Sequence, residues 1–210
     1  MSAADFLLAP EVQKLLKVVL AEPAGEFTVG ELARRTKLDA ADVERTQAHL
    51  VTSGILTERA GEDGESMAVC ANRSFVFYDE LRAIALKSFA AAEPIRAMLR
   101  SRFKASVVRA FILGEDEEGT VELLVVHGEL VPDKADMSAA CQKLSASIGR
   151  HLKVHVISSN THARLGSRDG LGFKLNSGRA FEIIAQGQTK AKPQLRREGF
   201  LQSARKRLWA

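Results

Sequence analysis

The sequence predicts an α+β protein in two units: a helical N-terminal unit closed by a β-hairpin, and a C-terminal unit that mixes strands with helices. Three observations lead there. Apolar side chains recur at helical spacing before residue 51, whereas residues 55–71 read as two strands around a turn. Beyond Phe103 the period changes again, from helix to strand. A chain of 210 residues also has room for two compact units of ordinary size.

Composition narrows the class. With 46% hydrophobic and 27% charged residues the chain falls among ordinary globular proteins. No apolar run approaches the roughly 18 residues that would suggest a membrane span. The start, Met1-Ser2-Ala3-Ala4-Asp5, lacks the basic and apolar character of a secretory signal. Cys70 and Cys141 stand far apart with no neighbours at metal-ligand spacing, so reduced thiols and a cytoplasmic setting are expected. Neither a metal nor a cofactor is expected.

In the N-terminal unit, Val12, Leu15, Leu16 and Val19 lie at i, i+3, i+4 and i+7 of a helix over 11–21, which Pro23 and Gly25 end. Glu26-Phe27-Thr28 is short and extended in character. Thr28-Val29-Gly30-Glu31 then forms a capping box for a second helix, with Leu32 and Ala33 inward. Asp39 caps a third helix with Val43 and Leu50 inward, and Gly54 supplies its left-handed exit. Residues 55–59 and 67–71 make a hairpin around the turn 60–64. This order of elements is that of a winged helix, in which the third helix can enter a major groove and the hairpin flanks the backbone.

The residues carry a more specific likeness. Phe27-Thr28-Val29-Gly30-Glu31-Leu32-Ala33-Arg34-Arg35-Thr36 resembles the "F-T-v-x-E-L-A-r-x-t" start of arsenic-repressor-like winged helix-turn-helix regulators. Ser53-Gly54-Ile55-Leu56 is similar to their "a-G-L-l" exit, and the match covers about residues 10–72. The resemblance implies transcription regulation by a homodimer on double-stranded DNA. Arg45, Thr46, His49 and Arg59 are the candidate DNA-binding residues. Against them stand Asp42 and Glu44 on the same helix and Glu62, Asp63 and Glu65 at the wing tip. Carboxylates repel phosphate, so a protein partner is the competing reading of this surface.

Residues 75–103 read as a helical connector between the DNA-binding unit, 1–74, and the second unit, 104–187. Phe77, Tyr78, Leu81, Ile84, Ala85 and Phe89 share one face, and a second helix restarts at Glu93-Pro94. Such a stripe indicates core or a dimer seam. Strands follow at 106–113, 121–126, 152–157 and 181–185. Pro132-Asp133 opens a helix with Met137, Cys141, Leu144 and Ile148 inward, and Asn160 is expected to cap further helix to about Ser177.

This half resembles the minimal nucleotidyltransferase-like domain found fused behind winged helices. There a strand ends in Gly-Ser and the next begins Asp-x-Asp. Here Gly114 is followed by Glu115, and Thr120 and Glu122 take the two aspartate places. His155 stands about where the third carboxylate belongs. Nucleotidyl transfer needs carboxylates that hold divalent metal on the triphosphate, while Glu115 would set a negative charge against its phosphates. The expectation is a degenerate domain, a pseudoenzyme without nucleotide transfer, serving dimerisation, effector or partner binding. The less favoured alternative is an active metal-dependent nucleotidyltransferase.

Other features read as ordinary structure. Glu115-Asp116-Glu117-Glu118 lacks the alternating ligands of a calcium loop and suits a hairpin turn. Gly170-Leu171-Gly172-Phe173-Lys174 is like a phosphate loop in composition, but it neither follows a strand nor completes a dinucleotide fingerprint, and reads as a helix entry or turn. His127, His151, His155 and His162 are scattered. Residues 188–210 hold Lys190, Lys192, Arg196, Arg197, Arg205, Lys206 and Arg207 against Glu198, a net +6 in a chain of net +4, which leaves −2 for the rest. They are expected to form a mobile basic arm that adds non-specific nucleic-acid affinity, with docking on the protein as the alternative.

Overall fold

In the computed structural model, which describes residues 3–60, 67–116 and 118–194, the first helix, α1 (Pro10–Val19), begins on Pro10. The proline ring presets a helical φ, and the N–H it lacks is one that a helix start leaves unpaired. Thr28 caps α2 (Val29–Thr36), its hydroxyl oxygen accepting from the Glu31 amide at 3.3 Å. Glu31 itself turns to Arg35, which donates to it at 2.7 Å. Asp39 caps α3 (Ala40–Thr52), accepting from the Asp42 amide at 2.8 Å. Gly54, at φ 74°, then lets the chain leave the helix in the left-handed region.

β1 (Leu56–Ala60) and β2 (Met67–Ala71) pair antiparallel, Leu56 opposite Ala71. Phe27 adds a bridge to Val69 along the other edge of β2, with amide–carbonyl bonds of 2.9 Å in both directions. Leu15, Leu16, Phe27, Leu32, Leu50 and Val69 meet in one core, each at most 1% exposed. Burying a side chain of this size contributes about 1.5–3 kcal/mol, so this cluster holds three helices on the hairpin.

The connector is two helices, α4 (Tyr78–Lys87) and α5 (Ala92–Arg102), separated at Ser88 by a non-helical φ of −131° and ψ of −114°. Ala85 of α4 belongs to the first core, while Leu86 packs on the second. The second unit is a mixed sheet. β3 (Val107–Glu115) and β4 (Thr120–His127) form a hairpin, and α6 (Lys134–Ile148) crosses over to β5 (His151–Ser158), which lies parallel to β4. A parallel neighbour needs such a crossover. β6 (Phe181–Ile184) pairs antiparallel with β3, giving the order β5-β4-β3-β6. One face of the sheet, through Ala110, Ile112, Leu123 and Val125, packs with α5 and α6. The other, through Phe111, Leu113, Leu124 and Val126, takes Leu171 and Leu175 of α8 (Gly170–Leu175). The architecture is therefore α+β with a mixed sheet, as the sequence predicts at that level.

Two expectations need correction. The helix expected from Asn160 to about Ser177 is broken into α7 (Ser159–His162) and α8, and the cap is Ser158, whose hydroxyl accepts from the Thr161 amide at 3.0 Å. Between them Gly166 and Gly172 approach so closely that a Cβ on Gly172 would sit 2.0 Å from the Gly166 carbonyl oxygen, a crossing no continuous helix makes. The first part of the expected mobile arm, residues 188–194, is pinned as a strap. Lys190 donates its amide to the Lys104 carbonyl at 2.9 Å, the Lys192 carbonyl accepts from Glu129 at 3.0 Å, and Gln194 donates to the Ser159 hydroxyl at 3.0 Å. Among the described residues no helix is long and apolar enough to cross a membrane.

Candidate functional site

The stripe that anchors α3 runs through Val43, Thr46, Gln47 and Leu50, all buried. That placement corrects one expectation: Thr46 is 6% exposed and belongs to the inner face, so it is not available to DNA. Helical geometry makes this unavoidable, because Thr46 lies three residues from Val43 and four from Leu50. The outer face carries Glu44, Arg45, Ala48 and His49, all exposed. Arg45 is ion-paired with Asp42 on the same helix. Arg59, on β1, is paired at 3.2 Å with Glu26, which precedes the Phe27 bridge. Both cations are thus partly answered by neighbouring carboxylates. The wing-tip residues Glu62, Asp63 and Glu65 lie outside the described residues.

Gly114 and Glu115 end β3, and Glu115 departs from its expected place against a phosphate. Its carboxylate, 6% exposed, accepts from Arg150 at 2.8 Å and lies 3.0 Å from Arg82 of α4. Arg150 is fully buried and donates further to the Leu20 carbonyl at 3.3 Å. The carboxylate therefore ties the sheet to α4 and, through Arg150, to the end of α1. It is held inside the protein and does not face solvent as a site group. Asp116 organises the hairpin turn, accepting from the amides of Thr120 at 2.7 Å and Glu118 at 3.1 Å. These bonds, foremost that from Thr120, hold its carboxyl below the ordinary range.

Thr120 and Glu122 start β4, and β5 beside them brings Lys153 opposite Glu122 and His155 opposite Leu124. Glu122 meets Lys174 of α8 at 2.5 Å, Lys153 at 3.3 Å and His155 at 3.8 Å. The hydrogen bond from Lys174, then that from Lys153, keeps its carboxyl below the usual glutamate range although burial pulls the other way. The structure thus brings together Glu122 and His155, two of the motif places. Divalent metal, implied by the nucleotidyltransferase resemblance, does not fit here. Thr120 is neutral, the Glu122 oxygens are committed to two ammonium groups, and two positive charges stand where a cation would have to bind. Among the described residues no group of three His, Cys, Asp or Glu is placed to hold a metal ion.

The remaining candidates divide. His162 stacks on Phe111 with ring centroids 5.5 Å apart, and burial, then the Arg109 charge, lowers its pKa. His127 is buried and its Nδ1 lies 2.8 Å from the Gly128 carbonyl, an ordinary core histidine. Gly170 starts α8. Arg196, Arg197, Arg205, Lys206 and Arg207 lie outside the described residues. Arg82, Arg150 and Lys153 carry no signal in the sequence. Each is a lone cation with no spacing signal, and only the tertiary fold gives it a partner. No protein-family model, curated protein or solved structure matches the chain.

Proposed function

We propose that the chain is a DNA-binding transcriptional regulator of winged helix-turn-helix type whose C-terminal unit keeps a nucleotidyltransferase-like plan without nucleotide transfer. One observation carries this reading: α3 is fixed on three sides by α1, α2 and β1 while its outer face, with Arg45 and His49, stays exposed. A helix of 13 residues is about 20 Å long and of a size the major groove admits. As a homodimer, two such helices would read half-sites about one DNA turn apart. Arg45 and His49 reach bases or phosphate, and Arg59 flanks from the hairpin. The test is selection from genomic fragments followed by titration at several salt concentrations. A preferred fragment should exceed random duplex by about 10³-fold or more, and Arg45→Ala with His49→Ala should erase the preference.

A second reading has its own observation. Arg45 and Arg59 are both held by carboxylates, which DNA phosphates would have to displace. Failure of any fragment to exceed random DNA would make the chain a protein-interaction module of a larger complex. Loss of nucleotide transfer is supported by the lysines on Glu122. Metal-dependent incorporation of a labelled nucleoside triphosphate, abolished by Glu122→Ala, would overturn that part.

A further inference from the structure

Where the two units meet, α1, α2 and the end of α6 enclose a cleft of about 260 Å³. Lys14 and Lys17 of α1 and Arg35 of α2 supply its cations, Ser147 of α6 a hydroxyl, and no carboxylate is among its lining residues. Arg35 is already neutralised, by Glu22 and Glu31 at 2.7 Å each. The lysines are different. Neither Lys14 nor Lys17 has a hydrogen bond or an ion pair among the described residues. Lys17 is half-buried, and burial together with the charge of Arg150 lowers its pKa. The carbonyl end of α6 faces this region with no basic residue in its own last turn. It offers about half a negative charge, less than the two ammonium groups bring.

We propose that this cleft binds a small phosphate-bearing anion through Lys14, Lys17 and the Ser147 hydroxyl. Lysines three apart on a helix lie on one face and can grip the same group, and ammonium is a point-charge donor well suited to phosphate. The volume lies below the usual range of about 300–1,000 Å³ for drug-sized ligands, which fits a phosphate or diphosphate. Walls from both units close the cleft, so a compact anion suits it better than a polymer backbone. This inference does not rest on DNA binding by α3.

Calorimetric titration of the full chain with pyrophosphate at constant ionic strength tests it. Saturable binding is expected, weakened about tenfold or more by Lys14→Ala and again by Lys17→Ala, while Lys14→Arg retains most of it. Lys14 is exposed, so Lys14→Glu gives a folded control, checked by its circular dichroism melt. Absence of saturation below about 1 mM, or equal affinity in Lys14→Glu, would overturn the proposal. So would displacement of pyrophosphate by random-sequence duplex DNA, which would assign the lysines to a polymer-binding surface.

Discussion

Glu115 shows how a single residue can change meaning between sequence and structure. By sequence it fills a serine place beside an expected phosphate; in the fold it answers two guanidinium groups, Arg150 and Arg82, inside the protein. Removing one member of a buried ion network leaves the others uncompensated, which costs about 3–5 kcal/mol. Glu115→Ala should therefore lower the unfolding free energy by about that amount in urea, and Glu115→Gln, which keeps an acceptor, by less. A change within about 0.5 kcal/mol would show that water replaces the lost partner. Glu122 makes a pH prediction. Its folded pKa is depressed by Lys174 and Lys153, so its contribution is complete above the unfolded value, near 4.3, and drains away as pH falls through the folded one. Stability measured against pH should fall less steeply below about pH 4.3 in Glu122→Gln than in the parent. Parallel curves would refute the pairing. The sequence displays both carboxylates but not their partners: Arg150 is 35 residues from Glu115, and Lys174 is 52 from Glu122.

At the scale of elements, local chemistry is legible at most helix caps, the exception being Ser158, which takes the place expected of Asn160. Thr28, Asp39 and Asp133 each accept from an amide three residues on, and Gly54 takes a positive φ at a helix exit. These are short-range signals that survive any tertiary context. Thr46 is different: its hydroxyl suits a surface place, yet its position three residues from Val43 and four from Leu50 sets it in the buried stripe. The strap at 188–194 is hidden in the sequence for another reason. Lys, Pro and Gln in sequence suggest a linker, yet here the backbone makes the contacts and the side chains do not reveal them. Gly128 is what admits the strap: a Cβ there would lie 1.9 Å from the Lys192 carbonyl oxygen. Gly128→Ala should force the strap off the sheet. Trypsin should then cut after Lys190 several-fold faster, because proteolysis follows the population of the open segment; Lys192 precedes Pro193 and is not a tryptic site. Cleavage at the parental rate would mean that the neighbouring backbone yields instead.

For the molecule as a whole, the α+β class and the uneven charge are legible in the residues, since both are sums over many of them. It did not disclose how the halves join, because α4 serves two cores at once and the joining groups are scattered from Leu20 to Arg150. The strap also changes how the basic C-terminus should be tested. Truncation after Gly187 would remove contacts to Lys104, Val107 and Glu129 along with the charge, so the cut belongs after Gln194. Residues 195–210 carry five cations and one acid, a net +4. If they meet phosphate, that truncation should flatten the plot of log affinity against log salt by up to roughly 4 units, at about 0.9 per contact, and weaken all sequences alike. An unchanged slope would assign DNA affinity to the described residues alone. The corner at Glu115 carries a genetic consequence. A two-membered ion pair can be inverted by exchanging its partners, one mutation rescuing the other. A carboxylate shared by two arginines cannot: Glu115→Arg with Arg150→Glu would set the new arginine against Arg82, so suppressor screens at this corner should return triple changes or none.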